Sequence, residues 1–531
     1  KVMQQRSLQN KQNPLVLTFD VGTQSARVML VDKKGNILCK AQKSYEKPYV
    51  SPHPDWAEQD PNFYWNTMCE VSLQLKETHE ELWNDIIAVT CTCIRATTIC
   101  LDKDGNALRN AVVWLDKRKA TDLPPMPWKN AAAFKVAGLS QVAETLRSQL
   151  AANWIIKNQP DIWHKTYKFV LLSTYFNFKF CGSMKDSCAN MCGVLPYDSK
   201  TRNWLGKNDI RRAVYLMEDD KLVDLVSPGE IIGNITKQTS EATGIPEGLP
   251  FVVTGSDKAC ETFGLSCDDE SSAAISLGTT ATIEVHTNRY FPIKSVLPPY
   301  TSLTSAYLPE METFRGYWLI SWFKKEFASK EVEEAQRLGC SAEALLNERL
   351  REIPAGCNGL VMQPTFTPDA ITPHAKGSII GFSDVHTRIH LYRAIIEGIG
   401  FSLMEGLEFI EKTGKLKVKK IFVAGGGSNS SEICQITADM MGLPVYRIQT
   451  HEVCGLGSSI LAFVTMGIYK DAKEAQQTMV KIKDEFLPNE KEHQTYLRLY
   501  SEVYCKIFDN LVHLYENLND IIKNDTTKPI M

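Results

Sequence analysis

The stretch LVLTFDVGTQSARVML, Leu15 to Leu30, decides the fold. Leu15 to Phe19 is an apolar and β-branched run that stops at Asp20. The small polar turn Gly22-Thr23-Gln24-Ser25 follows, and a second β-like run covers Ala26 to Val31. Lys33-Lys34-Gly35-Asn36 signals another turn, and Ile37 to Lys40 opens a third strand. The region therefore reads as a β-meander rather than a strand–helix unit. About half a chain later the pattern returns. Ala273 to Leu277 is apolar, Gly278-Thr279-Thr280 is a small polar turn, and Ala281 to Val285 is β-like again. Two units of one design predict an α/β chain of two related lobes, with the polar stretch Cys267 to Ser272 at the seam.

Further strands are expected at Ile86–Thr92, Ala111–Trp114 and Phe251–Thr254. The text between Ala132 and Phe180 is helical and aromatic, and its Trp and Tyr residues read as core. In the second half, Ile395, Ile396, Ile399, Leu403, Leu407 and Ile410 fall at helical spacing. A strand over Lys420–Ala424, a break at Gly425-Gly426-Gly427, a helix over Ser430–Met441 and a strand over Val445–Ile448 come next. The chain closes on one long amphipathic helix, with Tyr496, Tyr500, Tyr504, Ile507, Leu511, Leu514 and Leu518 on its apolar face. Residues 1–13 read as a flexible leader, and the polar end from Asn524 as frayed.

Four places carry candidate chemistry. At Asp20-Val21-Gly22-Thr23-Gln24 an acid ends a buried strand, where it is placed to hold a hydrated Mg²⁺, and the turn N–H groups can cradle phosphate. Gly278-Thr279-Thr280 repeats the phosphate-binding turn on the second lobe, so facing hairpins would clamp a triphosphate. Ala424 to Asn429 runs from a strand into bare glycine backbone and then a helix N-terminus, which admits a nucleotide. Neither the P-loop Lys-Ser/Thr pair nor the dinucleotide spacing is present there. Gly255-Ser256-Asp257 puts a carboxylate after a buried strand, as phosphoryl transfer to a hydroxyl requires. Lys258 beside it can lower its pKa or grip a phosphate. Taken singly, each of these also reads as an ordinary hairpin, glycine loop or turn.

Composition narrows the class. The 531 residues carry 59 Lys and Arg against 62 Asp and Glu, a net charge of −3, which argues against nucleic acid or an anionic membrane as partner. No apolar run approaches the ~18 residues a membrane helix needs, and residues 1–13 lack an apolar signal core. Fifteen scattered cysteines fit reduced thiols in a cytoplasmic protein. The Cys91/Cys93 and Cys188/Cys192 pairs lack partners at zinc-ribbon spacing, and His386 and His390 lack a third ligand.

In order along the chain, these elements resemble the FGGY family of carbohydrate kinases, on the actin-like ATPase fold of two ribonuclease-H-like domains flanking a cleft. Longer stretches carry the resemblance: His53 to Pro61, Val113 to Arg118, Gly244 to Pro250, Arg393 to Gly398, and Gly425 to Asn429 followed by Gln435, Ala438, Asp439 and Gly442-Leu443-Pro444. It implies an acceptor-binding domain with the catalytic base over 14–265 and an ATP-binding domain over 266–522. It implies Asp257 as general base, Asp20 beside Mg²⁺, and Gly22, Thr23 and Gln24 at the terminal phosphates of ATP. Gly278 and Thr279 would bind phosphates from the second lobe, and Gly426, Gly427 and Asn429 would lie against the nucleotide. Arg95 and Asp116 fall on the acceptor wall. The implied acceptor is a small sugar or polyol, a ketopentose such as xylulose or ribulose first, with glycerol and an autoinducer-like dihydroxy ketone as alternatives. A homodimer is compatible with all of this. Two departures mark the acceptor side: Ala96 follows Arg95 where the glycerol kinase version has an acid, and Thr365 to Asp369 lacks the family's G-E-R-x-P. An actin- or Hsp70-like ATPase machine, or a sugar sensor without transfer, are the rival readings.

Overall fold

The computed structural model describes residues 11–293, 297–367, 372 and 374–525. Most of the leader expected over 1–13, and Pro368-Asp369, lie outside them. Strands β1 (Leu15–Val21), β2 (Ser25–Asp32) and β3 (Ile37–Ser44) form the expected meander. With β4 (Ile86–Cys93), β5 (Ile231–Asn234) and β6 (Pro250–Val253) they make a six-stranded sheet in the order β5-β6-β4-β1-β2-β3. The second half repeats this with β7 (Ser272–Leu277), β8 (Ala281–Val285), β9 (Glu310–Thr313), β10 (Lys420–Ala424), β11 (Val445–Ile448) and β12 (Ile482–Phe486), in the order β9-β8-β7-β10-β11-β12. In each sheet the hairpin is antiparallel and the next two strands run parallel to its first strand.

Period-two alternation gives each first strand two different faces. Leu15, Leu17, Phe19 and Val21 enter an outer core with α1 (Pro61–Thr78) and α2 (Leu172–Cys181). Val16 enters a core shared between the lobes, and Thr18 and Asp20 fall on the same face. In β7, Ala273, Ile275 and Leu277 pack outward against α4 (Arg388–Gly414) and α5 (Ser431–Met441), while Ala274 joins the shared core and Ser276 follows it in alternation.

Two helices fill the space between the sheets: α3 (Asp257–Gly264), which follows β6, and α6 (Val453–Thr465), which follows β11. Each continues one half and leans on the other. Ser459 Oγ of α6 lies 2.7 Å from Thr18 Oγ1, and Ser458 Oγ lies 3.0 and 3.1 Å from Thr90 and Thr254 Oγ1. From α3, Thr262 Oγ1 donates to Glu284 Oε2 at 2.7 Å. Glycine permits the crossing of the two helices: a Cβ on Gly457 would sit 1.9 Å from the Cys260 carbonyl oxygen.

Several expectations are corrected. The stretch from Ala132 to Phe180 contains a strand, Lys168–Leu171, between its helices. The strand at 111–114 shortens to Ala111–Val112 and joins a separate four-stranded sheet with Glu58–Gln59, Thr98–Leu101 and Lys168–Leu171. The terminal helix is two helices, Glu490–Leu499 and Cys505–Asp525, joined by a π-helical turn over Tyr500–Tyr504. Trp154 and Tyr175 are core, as read. His390 belongs to the capping box of α4, and His386 Nε2 lies 2.9 Å from the Cys357 carbonyl. Among the described residues no helix is long and apolar enough to cross a membrane.

Candidate active site

Asp20, the penultimate residue of β1, falls on the interlobe face and is buried. Arg27, its cross-strand partner, places Nε 3.4 Å from Asp20 Oδ2 and donates through Nη1 to Glu452 at 2.9 Å. Burial pushes the Asp20 carboxyl up to about 6; Glu452, Asp257 and Glu261 push it the same way and Arg27 opposes them. Behind the turn, the Trp114 indole donates to Thr23 Oγ1 at 2.9 Å, while the Gln24 side chain is exposed.

Asp257 opens α3, capped by Ser256, whose Oγ accepts from the Ala259 N–H at 3.3 Å. The helix N-terminus favours a carboxylate there. Burial raises its pKa, and Lys258 and Arg95 hold it down in part. The expected lowering by Lys258 is therefore present but outweighed. Lys258 spans the lobes: its Nζ lies 3.1 Å from Glu261 Oε1 and 2.5 Å from Ser276 Oγ on β7.

Asp20, Asp257, Glu261 and Glu452 thus crowd negative charge where the two hairpins meet. The described residues contain no group of three or more side chains able to hold a metal ion among themselves. Mg²⁺ keeps several waters and binds through one or two carboxylates plus substrate phosphates, and the buried carboxyl group of Asp20 is of the kind it takes.

Gly278 and Thr279 lie at the mouth of a cavity of about 790 Å³ in the second half. Gly426, Gly427 and Asn429 line it too, so all five second-lobe positions read from the sequence converge on one space. The glycines there do different work. A Cβ on Gly427 would meet the Tyr317 ring at 2.6 Å, so the glycine admits packing, whereas a Cβ on Gly426 meets nothing within 4 Å and would enter the cavity. Sequence reasoning missed the far wall, which includes Tyr317, Ile320, Ser321 and Asn347. It also missed Arg447, which donates to the carbonyls of Ser428 and Asn429 at 2.8 and 3.1 Å and props the glycine loop. An arginine inside the four-residue strand Val445–Ile448 was the available signal. The Arg393–Glu397 pair braces this wall: Arg393 donates to Glu397 at 2.8 Å and to the carbonyls of Leu350 and Ile353, and the Tyr496 hydroxyl donates to Glu397.

On the wall expected to face the acceptor, Arg95 Nη2 donates to Glu310 of β9 at 2.8 Å and the guanidinium stacks 4.1 Å from the Tyr300 ring centre. Its partner therefore comes from the other half of the chain. Arg95 facing it holds the Glu310 carboxyl below its ordinary pKa despite burial, while burial and the neighbouring Glu310 push Glu284 up. Ala96 takes a left-handed φ of 60°, a strained turn for a non-glycine residue. Asp116 is spent within the chain: its oxygens accept from Arg118 and, at 2.7 Å, from the Ala57 N–H. Arg118 is in turn stacked on Trp56 at 4.0 Å. Asp116 braces the wall instead of presenting a free carboxylate to it.

Residues 15–264 match the N-terminal domain of the FGGY family of carbohydrate kinases, and residues 273–466 match its C-terminal domain. The chain is 28% identical to an uncharacterized sugar kinase, YgcE, of Escherichia coli (strain K12), covering 91% of this chain and 90% of that one. It is 27% identical to a xylulose kinase of Bacillus subtilis (strain 168), over 96% of this chain and 99% of the relative. The structure of a gluconate kinase from Lactobacillus acidophilus superposes with a TM-score of 0.79 at 20% identity, over 96% of this chain and all of that one (100%). The chain belongs to the FGGY family of carbohydrate kinases, and it is an ATP-dependent phosphotransferase acting on a sugar hydroxyl. That membership sets aside the ATPase-machine reading.

Proposed function

We propose that the enzyme transfers the γ-phosphoryl group of Mg²⁺-ATP to a ketopentose such as xylulose or ribulose, with Asp257 as general base. The observation that carries the reading is the place of Asp257, buried at the N-terminus of α3, the helix that packs into the core shared by the two halves, within electrostatic reach of Asp20 and Arg95. ATP lies in the 790 Å³ cavity with its phosphates toward Gly278 and Thr279. Gly426 and Asn429 lie along the nucleotide, and Gly22, Thr23 and Gln24 meet the terminal phosphates from the first lobe. When bound at Asp20, Mg²⁺ supplies charge neutralisation to the phosphate oxygens. The acceptor lies between Arg95 and Asp257, on a wall that Asp116 holds in shape. Closure of the lobes excludes water and brings the hydroxyl in line, and Asp257 takes its proton. All fifteen cysteines are free thiols, which supports a place in the reducing cytoplasm.

The match to a xylulose kinase over 96% of the chain supports the ketopentose assignment. A panel of xylulose, ribulose, glycerol, other polyols and an autoinducer-like dihydroxy ketone, scored by ADP release, tests it. The expected result is the highest kcat/KM on a ketopentose. Faster turnover of glycerol or the dihydroxy ketone overturns the substrate, and sugar binding without ADP release would restore the sensor.

A further inference from the structure

We propose that Lys258 is a second catalytic cation of the transfer step, its ammonium gripping the phosphoryl group as it passes from nucleotide to acceptor. The proposal rests on the reading of Asp257 as base and of the Gly278–Thr279 turn as phosphate site.

Lys258 directly follows Asp257 on α3, yet its Nζ reaches Ser276 Oγ of the other lobe at 2.5 Å. Ser276 stands two residues before Gly278, and a Cβ built on Gly278 would lie 3.7 Å from that Oγ. The ammonium therefore sits at the root of the second phosphate hairpin while its backbone adjoins the base. A phosphoryl group leaving that hairpin for a hydroxyl at Asp257 crosses the space this side chain spans.

Donor capacity is the second observation. An ammonium has three N–H donors. Among the described residues two are used, toward Glu261 Oε1 at 3.1 Å and Ser276 Oγ. A tether between lobes needs no more than these two, and the third donor is left for a ligand. The neighbouring cations are differently placed: Arg27 is held between Asp20 and Glu452, and Arg95 between Glu310 and the Tyr300 face.

Charge is the third. From its own helix Lys258 faces Asp257 and Glu261; from β8 it faces Glu284 and from α6 Cys454, two groups whose pKa values burial raises. Burial opposes the charge on Lys258, but the carboxylates outweigh it and the ammonium stays protonated. It acts as a fixed charge, not as an acid. In the step itself the acceptor O–H bond breaks and its proton goes to Asp257. The oxygen forms a bond to the γ-phosphorus, and the bond from that phosphorus to the β–γ bridging oxygen breaks to release ADP. Lys258 neither gives nor takes a proton; it pairs with the equatorial oxygens where charge gathers.

The test compares Lys258→Met, Lys258→Gln and Lys258→Arg with the parent enzyme. For Met and Gln the expected loss in kcat is about 100-fold or more, with KM for ATP and acceptor changed less than about threefold. Arg should restore at least about a tenth of turnover, because it returns the charge. Affinity for ADP with aluminium fluoride and acceptor, a mimic of the phosphoryl in flight, should fall as kcat does, while affinity for ADP alone holds. Near-normal turnover in Lys258→Met or Lys258→Gln overturns the proposal. So does an equal fall in affinity for ADP alone, the mark of a lobe tether. Asp257→Asn in parallel separates the claims: turnover retained there removes the base, whereas turnover retained without the lysine removes the cation.

Discussion

In the first half of the chain the penultimate residue of β1 is Asp20, and β2 answers it across the hairpin with Arg27; in the second half the penultimate residue of β7 is Ser276, and β8 answers with Thr282. Both residues stand two places before the glycine of the turn, on the face turned toward the other lobe. The helices that meet them differ as well. Arg27 links Asp20 to Glu452, just before α6, while Ser276 meets Lys258 from α3. One backbone plan thus yields an acidic end and a donor-rich end. Strand alternation and turn chemistry set the plan; single substitutions at matched positions set the charge at each end.

The largest effect expected from breaking this division is at Asp257. Asp257→Asn should cost about 10³-fold or more in turnover, with nucleotide affinity nearly unchanged in a direct binding titration. The same change should raise the melting temperature at neutral pH. Burial raises the folded-state pKa of Asp257 above the ordinary 3.8, so the ionised carboxylate opposes folding. That cost is absent at pH below 3.8 and grows as pH rises through the shifted value, so the gain from Asn should vanish in acid. A parallel rise in stability at acid and neutral pH would contradict the assignment.

Asp20→Ser makes the first hairpin like the second. It should lower kcat/KM about 100-fold and raise the Mg²⁺ concentration needed for half-maximal rate. An unchanged Mg²⁺ requirement would place the metal elsewhere.

The glycine loop offers a contrast within the second lobe. Gly426→Val projects a side chain into open cavity and should raise KM for ATP about tenfold or more with little change in stability. Gly427→Ala drives a methyl into the Tyr317 ring and should cost about 1–3 kcal/mol of stability. Thermal melts with and without ATP distinguish the two.

The hairpins and the glycine loop were legible because their signals are local: alternation, a small polar turn, a strand broken by glycines. The strand Lys168–Leu171 was hidden because four residues inside aromatic text have no period to read. What crosses between the halves was hidden altogether. Arg95 meets Glu310 from 215 residues away, and α6 leans on the first sheet although it follows β11 of the second. The engaged carboxylate of Asp116 belongs with these: its motif could be read, but not that the guanidinium two residues on and a backbone N–H consume it. Family resemblance supplied positions; the structure separated those that touch a ligand space from those that hold its walls.

The smallest expected effect concerns how each central helix grips the opposite sheet. On the first sheet α6 uses neutral hydroxyl pairs, Ser459 with Thr18 and Ser458 with Thr90 and Thr254. On the second, α3 uses the Lys258 ammonium toward Ser276 and the Thr262 hydroxyl, which donates to the Glu284 carboxyl group of β8. Ser459→Ala removes one hydroxyl and leaves the buried Thr18 hydroxyl without that partner, which should cost about 1–2 kcal/mol. Because neutral pairs feel no screening, the loss should be the same in low and high salt. Thr262→Val breaks a contact to Glu284, whose pKa burial and Glu310 raise, and Glu310 is itself held by Arg95. Its effect should therefore pass into the Arg95 wall and raise KM for the acceptor about twofold to fivefold, where Ser459→Ala leaves that KM alone. Equal effects of the two variants on acceptor KM would mean that the helices are interchangeable clamps, and that the charge difference between the lobes ends at the hairpins.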